Sequence, residues 1–337
     1  MNQVMSLPAL TSLCVGALVH GGVPRPVAEA VAEQIVDAEV LRHSSHGLML
    51  VPSLVKLVRT GTIDPSATPR MSEEGTSLTA DLRGGFAQYA LPTVIDRAVG
   101  IARRHGMCLV LLNDLRNSGR LGAYVEQAAA AGAVALMVTG SAWVPGEATV
   151  APAGSAQRVF GTNPIAFAAP AQDEVLVVDL ATSTTTMGHL RLGRTLQHPI
   201  AANGVVDREG RLSSSAQDFY DNGALSPLGG HKGTSLALLV AALSALSGHT
   251  TSDGQLAGGL MLICSPRAAM GTGHNAYETA LSAAMNRLRE LEPTDARHPL
   301  RTPGQSYPAA RRHAAQYGVP VPTSLIDALR SLQGAER

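Results

Sequence analysis

The chain has 337 residues, 45% hydrophobic, 3% aromatic and 15% charged, with a formal net charge of zero. That is enough apolar material for a substantial core, whereas no basic stripe or acidic tail is present and base-stacking aromatics are scarce, which excludes nucleic acid and an anionic membrane surface as natural partners. The three scattered cysteines, Cys14, Cys108 and Cys264, exclude a disulfide framework and a thiolate metal site; they predict free thiols in a reducing, cytoplasmic setting, with no metal.

Residues 8–20 are predicted helical, ended by Gly21-Gly22. This apolar stretch lacks the basic flank of a signal peptide and is too short to span a bilayer. A second helix is expected over 25–41, where Val27, Val31, Ile35 and Ala38 recur at helical spacing. A third stops at Gly61 and Pro65. From about residue 75 helices and strands alternate. Strands are expected over 77–82, 107–113 and 133–141, with helices over 93–106 and 122–132 between them. Residues 142–162 read as loop, 164–170 and 174–182 as strands, and 186–230 as turn-rich without periodicity. A helix over 232–247, a strand over 255–265, an amphipathic helix over 276–292 and two terminal helices complete the chain. The organisation expected is a helical segment over 1–70, joined by 275–337, around a mixed α/β core over 71–274 that binds the cofactor. No G-x-G-x-x-G follows a strand, so a Rossmann dinucleotide site is not supported.

Five segments carry polar chemistry. "SSHG" (44–47) offers His46 as a proton donor near working pH, or a helix cap. "RNSGRLG" (116–122) follows a strand, and its Arg120 is either a carboxylate fork or part of a polar connection. "GTNP" (161–164) is a tight turn that includes Thr162. "DLATSTTT" (179–186) gathers hydroxyls and backbone N–H groups that suit ribose or phosphate oxygens, or a helix cap. "GGHKG" (229–233) puts His231 and Lys232, one of only two lysines, at a helix start, where cations oppose the helix dipole. A lysine placed there suggests an anion or carbonyl to face.

In this order, the segments "SHG", "GTIDP", "RNS", "GTNPIAFAAP", "VVDLATS", "LSPLGGHKG" and "TPGQ" resemble the malate/L-lactate dehydrogenase-like oxidoreductases over nearly the whole chain. That family includes sulfolactate, ureidoglycolate and diketogulonate enzymes and reductases of the piperideine-2-carboxylate type. The resemblance implies an α/β fold that is not Rossmann: a mixed, largely antiparallel sheet with a helical layer from both termini. It also implies a homodimer with the site near the subunit interface, in keeping with the low charged fraction. NAD or NADP is expected against Ser141, Asp179, Leu180, Ala181, Thr182, Ser183, His231, Lys232, Pro303 and Gly304. His46 matches the proton donor, with Ser45 and Thr162 beside the substrate. Arg191 and Arg194 are candidates for a 2′-phosphate contact.

The departures lie on the substrate side. Where the family reads "DSHG" with arginine three residues on, this chain has Ser44 and Leu50. Where it reads "NSNHFG", this chain has Arg120 in place of the histidine, and Gln305 replaces the glutamate of "PGE". Leucine cannot grip a carboxylate, and arginine stays charged, so Arg120 is expected to hold the acid group while His46 gives the proton. The function expected is NAD(P)H-dependent reduction of a 2-oxo acid or a cyclic imine carboxylate in an atypical pocket, within a specialised biosynthesis. The alternatives are a non-redox enzyme on the same fold (cyclisation, elimination or hydrolysis) and, below both, a non-catalytic dimeric scaffold.

Overall fold

The apolar runs that begin at residue 77 build most of one eight-stranded mixed sheet, seven strands in a continuous path and a short eighth paired at its side. The computed structural model describes residues 2–196, 199–250, 254–295, 297 and 299–334. It begins with β1 (Asn2–Met5), α1 (Leu7–His20), α2 (Arg25–Val40) and α3 (Val51–Arg59). The sheet region follows: β2 (Arg70–Glu74), β3 (Ser77–Asp81), α4 (Ala87–His105), β4 (Met107–Asn113), α5 (Leu121–Ala130), β5 (Val134–Ala142), β6 (Ile165–Ala171) and β7 (Glu174–Leu180). Next come α6 (Met187–Leu196), β8 (Val205–Val206), β9 (Leu212–Ser213), α7 (Ala216–Tyr220), β10 (Ala224–Leu225) and α8 (His231–Ser244). The chain closes with β11 (His249–Thr250), β12 (Leu256–Cys264), α9 (Pro266–Met270), α10 (His274–Arg289), α11 (Tyr307–Tyr317), β13 (Val319–Pro322) and α12 (Thr323–Leu332).

The sheet order is β2-β3-β4-β12-β5-β6-β7, and only the β3–β4 pair is parallel. β4 and β5 follow each other in the chain, with α5 between them, but are not neighbours in the sheet. Instead β12 inserts between them, antiparallel to both, with Met261 opposite Val110 and Met137. The sheet is therefore mixed and largely antiparallel, as the resemblance implied. Alternate residues of β4 (Cys108, Val110 and Leu112) are fully buried against α4 and α5, where they meet Ile95, Ala98, Tyr124 and Ala128. Each such side chain contributes about 1.5–3 kcal/mol by leaving water. On the opposite face α8 lays Val240 against Val138 and Leu260.

A second core joins the two termini. Leu10, Leu18, Val31, Ile35 and Leu54 from the first three helices pack with Val321, Ile326 and Leu329 from the end of the chain. The β1–β13 ladder, Asn2↔Pro322 to Met5↔Val319, closes this layer. Neither strand is expected, since the sequence reads only as helices at both ends of the chain, and β13 is the proline-containing "VPVP". Proline has no N–H to give, but a two-stranded ladder leaves one edge of each strand unpaired. The fully exposed β2 and the helix α6, inside the stretch expected to be turn-rich, also lie outside the sequence reading, as do the short elements β8–β11, α7 and α9.

Candidate active site

The end of α2 builds the first wall of the site. Arg42 N donates to Glu39 O and His43 N to Ala38 O, which closes the helix with Arg42 in the left-handed region at φ 62°. A 3-10 turn, Ser44–His46, follows. Glu39 Oε2 accepts from Leu48 N at 3.0 Å, and it lies 2.1 Å from where a Cβ at position 47 would stand. A Cβ there would displace the carboxylate from Leu48 N, so the carboxylate and Gly47 together set the shape of the turn. Ser45 Oγ lies 3.0 Å from His46 Nδ1. That contact occupies one ring nitrogen and leaves Nε2 for a ligand.

The other walls come from the sheet edge. The loop after β4 is held by Tyr124, whose hydroxyl donates to Ser118 O at 2.7 Å, and by Gln88 Nε2 donating to Asn117 Oδ1 at 3.3 Å. Thr182 N and Oγ1 both donate to Thr162 O, at 3.0 and 3.1 Å, which ties the end of β7 to the "GTNP" turn. Asn163, left-handed at φ 41°, accepts from Ser141 N and donates to Ser141 O and Ala237 O. The start of α6 closes the fourth side, with Gly188 against Ser45. The space between is a cleft of about 390 Å³, within the range of small-molecule sites.

Three imidazoles border this cleft, those of His43, His46 and His189, and burial shifts the first two. Burial lowers His46 to about 4, and the charges of His43 and Arg120 act in the same direction. Burial, then Arg120, also lowers His43, against an opposing pull from Asp37. His43 Nε2 is 2.9 Å from Tyr307 Oη. Both rings are therefore neutral at neutral pH. Burial raises Asp179, while Gly122 N–H and Arg120 pull it down.

The histidines predict an acid-side loss of stability. Below about pH 6.5 the unfolded chain protonates both rings, whereas the folded protein does not take up the His46 proton until about pH 4. Stability falls as pH drops through that window, with His46 contributing about 3 kcal/mol at most. Urea unfolding at pH 7 and pH 4.5 should show a smaller loss for His46→Gln than for the wild type. An equal loss would mean that His46 titrates normally.

The structure brings Ser45, His46, Thr162, Asp179, Leu180 and Ala181 into one cleft. Thr182 and Ser183 continue the same segment but are buried. Leu228 N donates to Thr182 O and Thr184 N to Ser226 O, so His231 and Lys232 stand next to that segment, exposed and outside the cleft lining. Ser141 is buried under the "GTNP" turn, and Pro303-Gly304 lies behind β7, where Val177 N donates to Pro303 O at 3.4 Å. Asp179 Oδ2 accepts from Gly122 N at 2.7 Å, so this carboxylate caps α5 while its residue borders the cleft.

Arg120 is the correction. The expected carboxylate fork is not offered to the cleft. Its side chain is buried, with Nη2 at 3.2 Å from both Asp37 Oδ2 and Glu126 Oε2 and its guanidinium 5.4 Å from the centre of the Tyr307 ring. As the residue before α5 it turns back toward α2, where two carboxylates outcompete a solvent-facing position. The sequence reading missed Arg42, His43 and Tyr307. The first two share the "RHSSH" turn and could have been noticed there, but Tyr307, 264 residues from His43, carries no local signal.

The surface beside the cleft suits a dinucleotide. Gly229 and Gly230 are left-handed, at φ 59° and 63°, and a Cβ on either would meet nothing within 4 Å. Leu180 and Leu228 are exposed on the two hydrogen-bonded segments, and Thr185 Oγ1 is buried without a partner. Open backbone, apolar surface for a flat ring and the nearby Lys232 amine together fit a nicotinamide dinucleotide.

Comparison with known proteins places this arrangement among NAD(P)-dependent oxidoreductases. The profile of the malate/L-lactate dehydrogenase family matches residues 5–330. The (2R)-3-sulfolactate dehydrogenase (NADP(+)) of Chromohalobacter salexigens is 32% identical, over 98% of each chain. The Δ1-pyrroline-2-carboxylate/Δ1-piperideine-2-carboxylate reductase of Pseudomonas putida is 30% identical, over 96% of this chain and 95% of its own. The crystal structure of Δ1-piperideine-2-carboxylate reductase from Pseudomonas syringae superposes with a TM-score of 0.85 at 28% identity, covering 98% of this chain and 99% of the other. The chain belongs to the malate/L-lactate dehydrogenase family. Among the described residues, no helix is long and apolar enough to cross a membrane.

Proposed function

We propose that the protein reduces a small 2-oxo acid or cyclic imine carboxylate with NAD(P)H, with His46 as the proton donor. The observation that carries this is His46 itself. Its Nδ1 is taken by Ser45, and its ring borders the cleft with Thr162, Asp179 and Leu180. When bound, the reduced nicotinamide supplies the hydride. His46 Nε2 then gives the proton to the developing alkoxide or amine nitrogen. Thr162 and Ser45 orient the substrate. Asp179, fixed to α5, holds the end of β7 in place.

The cleft walls favour the cyclic imine over a second acidic group. Leu50, Leu121 and Met187 line it, which suits an apolar ring. A protonated imine also demands less of a histidine that is neutral at pH 7. We further propose a cytoplasmic homodimer in a specialised biosynthesis. The exposed Leu238, Leu239 and Leu246, in and just after α8, form an apolar surface of the kind a second subunit covers.

Titration with NADPH and NADH, followed by fluorescence, tests the cofactor. Micromolar binding of NADPH, tighter than NADH, is the expected result. Arg191 borders the cleft and supports a 2′-phosphate contact, whereas Arg194 is stacked on Tyr220 at 4.2 Å. Binding of neither nucleotide to the folded protein would move the site to non-redox chemistry.

A further inference from the structure

We propose that Arg42 anchors the carboxylate of the substrate. The ligand's identity rests on the reductase reading above, but the binding site itself does not. A carboxylate entering beside His46 needs a cation, and the position three residues after Gly47 holds Leu50. Three arginines border the cleft: Arg42, Arg116 and Arg191. Arg116 is engaged with Asp114 at 2.8 Å. Arg191, on α6, has an interaction partner of its own. Arg120 is buried against Asp37 and Glu126.

Arg42 differs from the others in two independent ways. Its side chain makes no hydrogen bond or ion pair with any described residue, although it borders the cleft four positions before His46 on the same turn. It also occupies a helix-closing position with φ 62°, a conformation that suits glycine and strains a residue with a Cβ. Strain retained at the mouth of a cleft points to use of the side chain. A planar guanidinium there can fork onto a carboxylate while the rest of the ligand faces the apolar wall of Leu50 and Met187.

Pyrrole-2-carboxylate, a flat ring acid without a reducible C=N bond, is the probe, and pyrrole-2-carboxamide is its uncharged control. Calorimetry is run on the full chain with and without saturating NADPH. The wild type should prefer the acid by at least about tenfold, as expected for a charge-assisted pair. Arg42→Gly should lose that preference roughly ten- to hundredfold, and Arg42→Lys should keep part of it. Thermal melting separates this from a folding defect, because glycine suits φ 62° and Arg42→Gly should melt no lower than the wild type. An undiminished acid preference in Arg42→Gly, or none in the wild type, overturns the proposal. Loss of preference in Arg42→Gly with no NADPH oxidation by any acid substrate keeps Arg42 as the anion anchor and overturns the reductase reading instead.

Discussion

His46→Gln should lower turnover by about two to four orders of magnitude while leaving NADPH affinity within about twofold. The separation follows from position. His46 borders the cleft, whereas the dinucleotide surface runs along Leu180, Leu228 and the Gly229-Gly230 turn, on other elements. Glutamine keeps a polar side chain of similar reach beside Ser45 but cannot shuttle a proton at neutral pH. The pH profile makes the assignment sharper. In the free protein His46 is protonated only near pH 4, so kcat/KM for ketone reduction should fall about tenfold per unit as pH rises above that value. In the oxidative direction the neutral ring is the acceptor, and kcat/KM should stay level from pH 8 down to about 4 before it drops. Unaltered turnover in His46→Gln would falsify the assignment. The donor would then be another imidazole of the cleft, either His43, with Tyr307 on its Nε2, or His189 on α6.

Arg120→Met is expected to cost about 2–3 kcal/mol of stability and to leave KM for the acid substrate within about threefold. A buried ion group broken by removal of one member usually costs about 3–5 kcal/mol. Here the loss is softened because Arg311 also reaches both carboxylates, through Nε to Asp37 at 2.7 Å and Nη1 to Glu126 at 2.5 Å. Arg120 already carries two buried nitrogens, Nε and Nη1, without partners, so part of its desolvation is uncompensated in the native protein. Guanidinium unfolding measures the stability change. The same variant should let the His46 pKa rise, because the Arg120 charge helps to hold it down. Wild-type stability together with a tenfold higher KM would show that Arg120 swings into the cleft when substrate binds.

The candidate site was legible in parts. The "SSHG", "GTNP" and "DLATS" segments stand out as polar turns at the ends of apolar runs, and the structure does bring His46, Thr162 and Asp179–Ala181 together. The direction of a side chain was not legible. Arg120 reads as a carboxylate fork, yet its partners are Asp37, 83 residues earlier, and Glu126 on the helix that Arg120 precedes. Asp179 reads as a cofactor ligand, yet its carboxylate closes the end of α5, 57 residues back in the chain. Arg42 passes unnoticed because a sequence does not display a positive φ on a residue other than glycine.

The sequence by itself determined the local elements. Apolar spacing located α1, α2, β4 and β12, and turn residues marked their ends, because these preferences act over a few residues. Motif order, read by resemblance, led to the family. The tertiary structure alone decided which strands are neighbours. β12 lies between β4 and β5 because its buried face, Met261 and Ile263, completes a core with residues about 120 to 155 positions earlier. It also decided that β1 and β13 meet, that Tyr307 reaches His43, and that two carboxylates claim Arg120. Burial and ion pairing depend on distance in space, and neighbouring residues in the chain do not carry that distance.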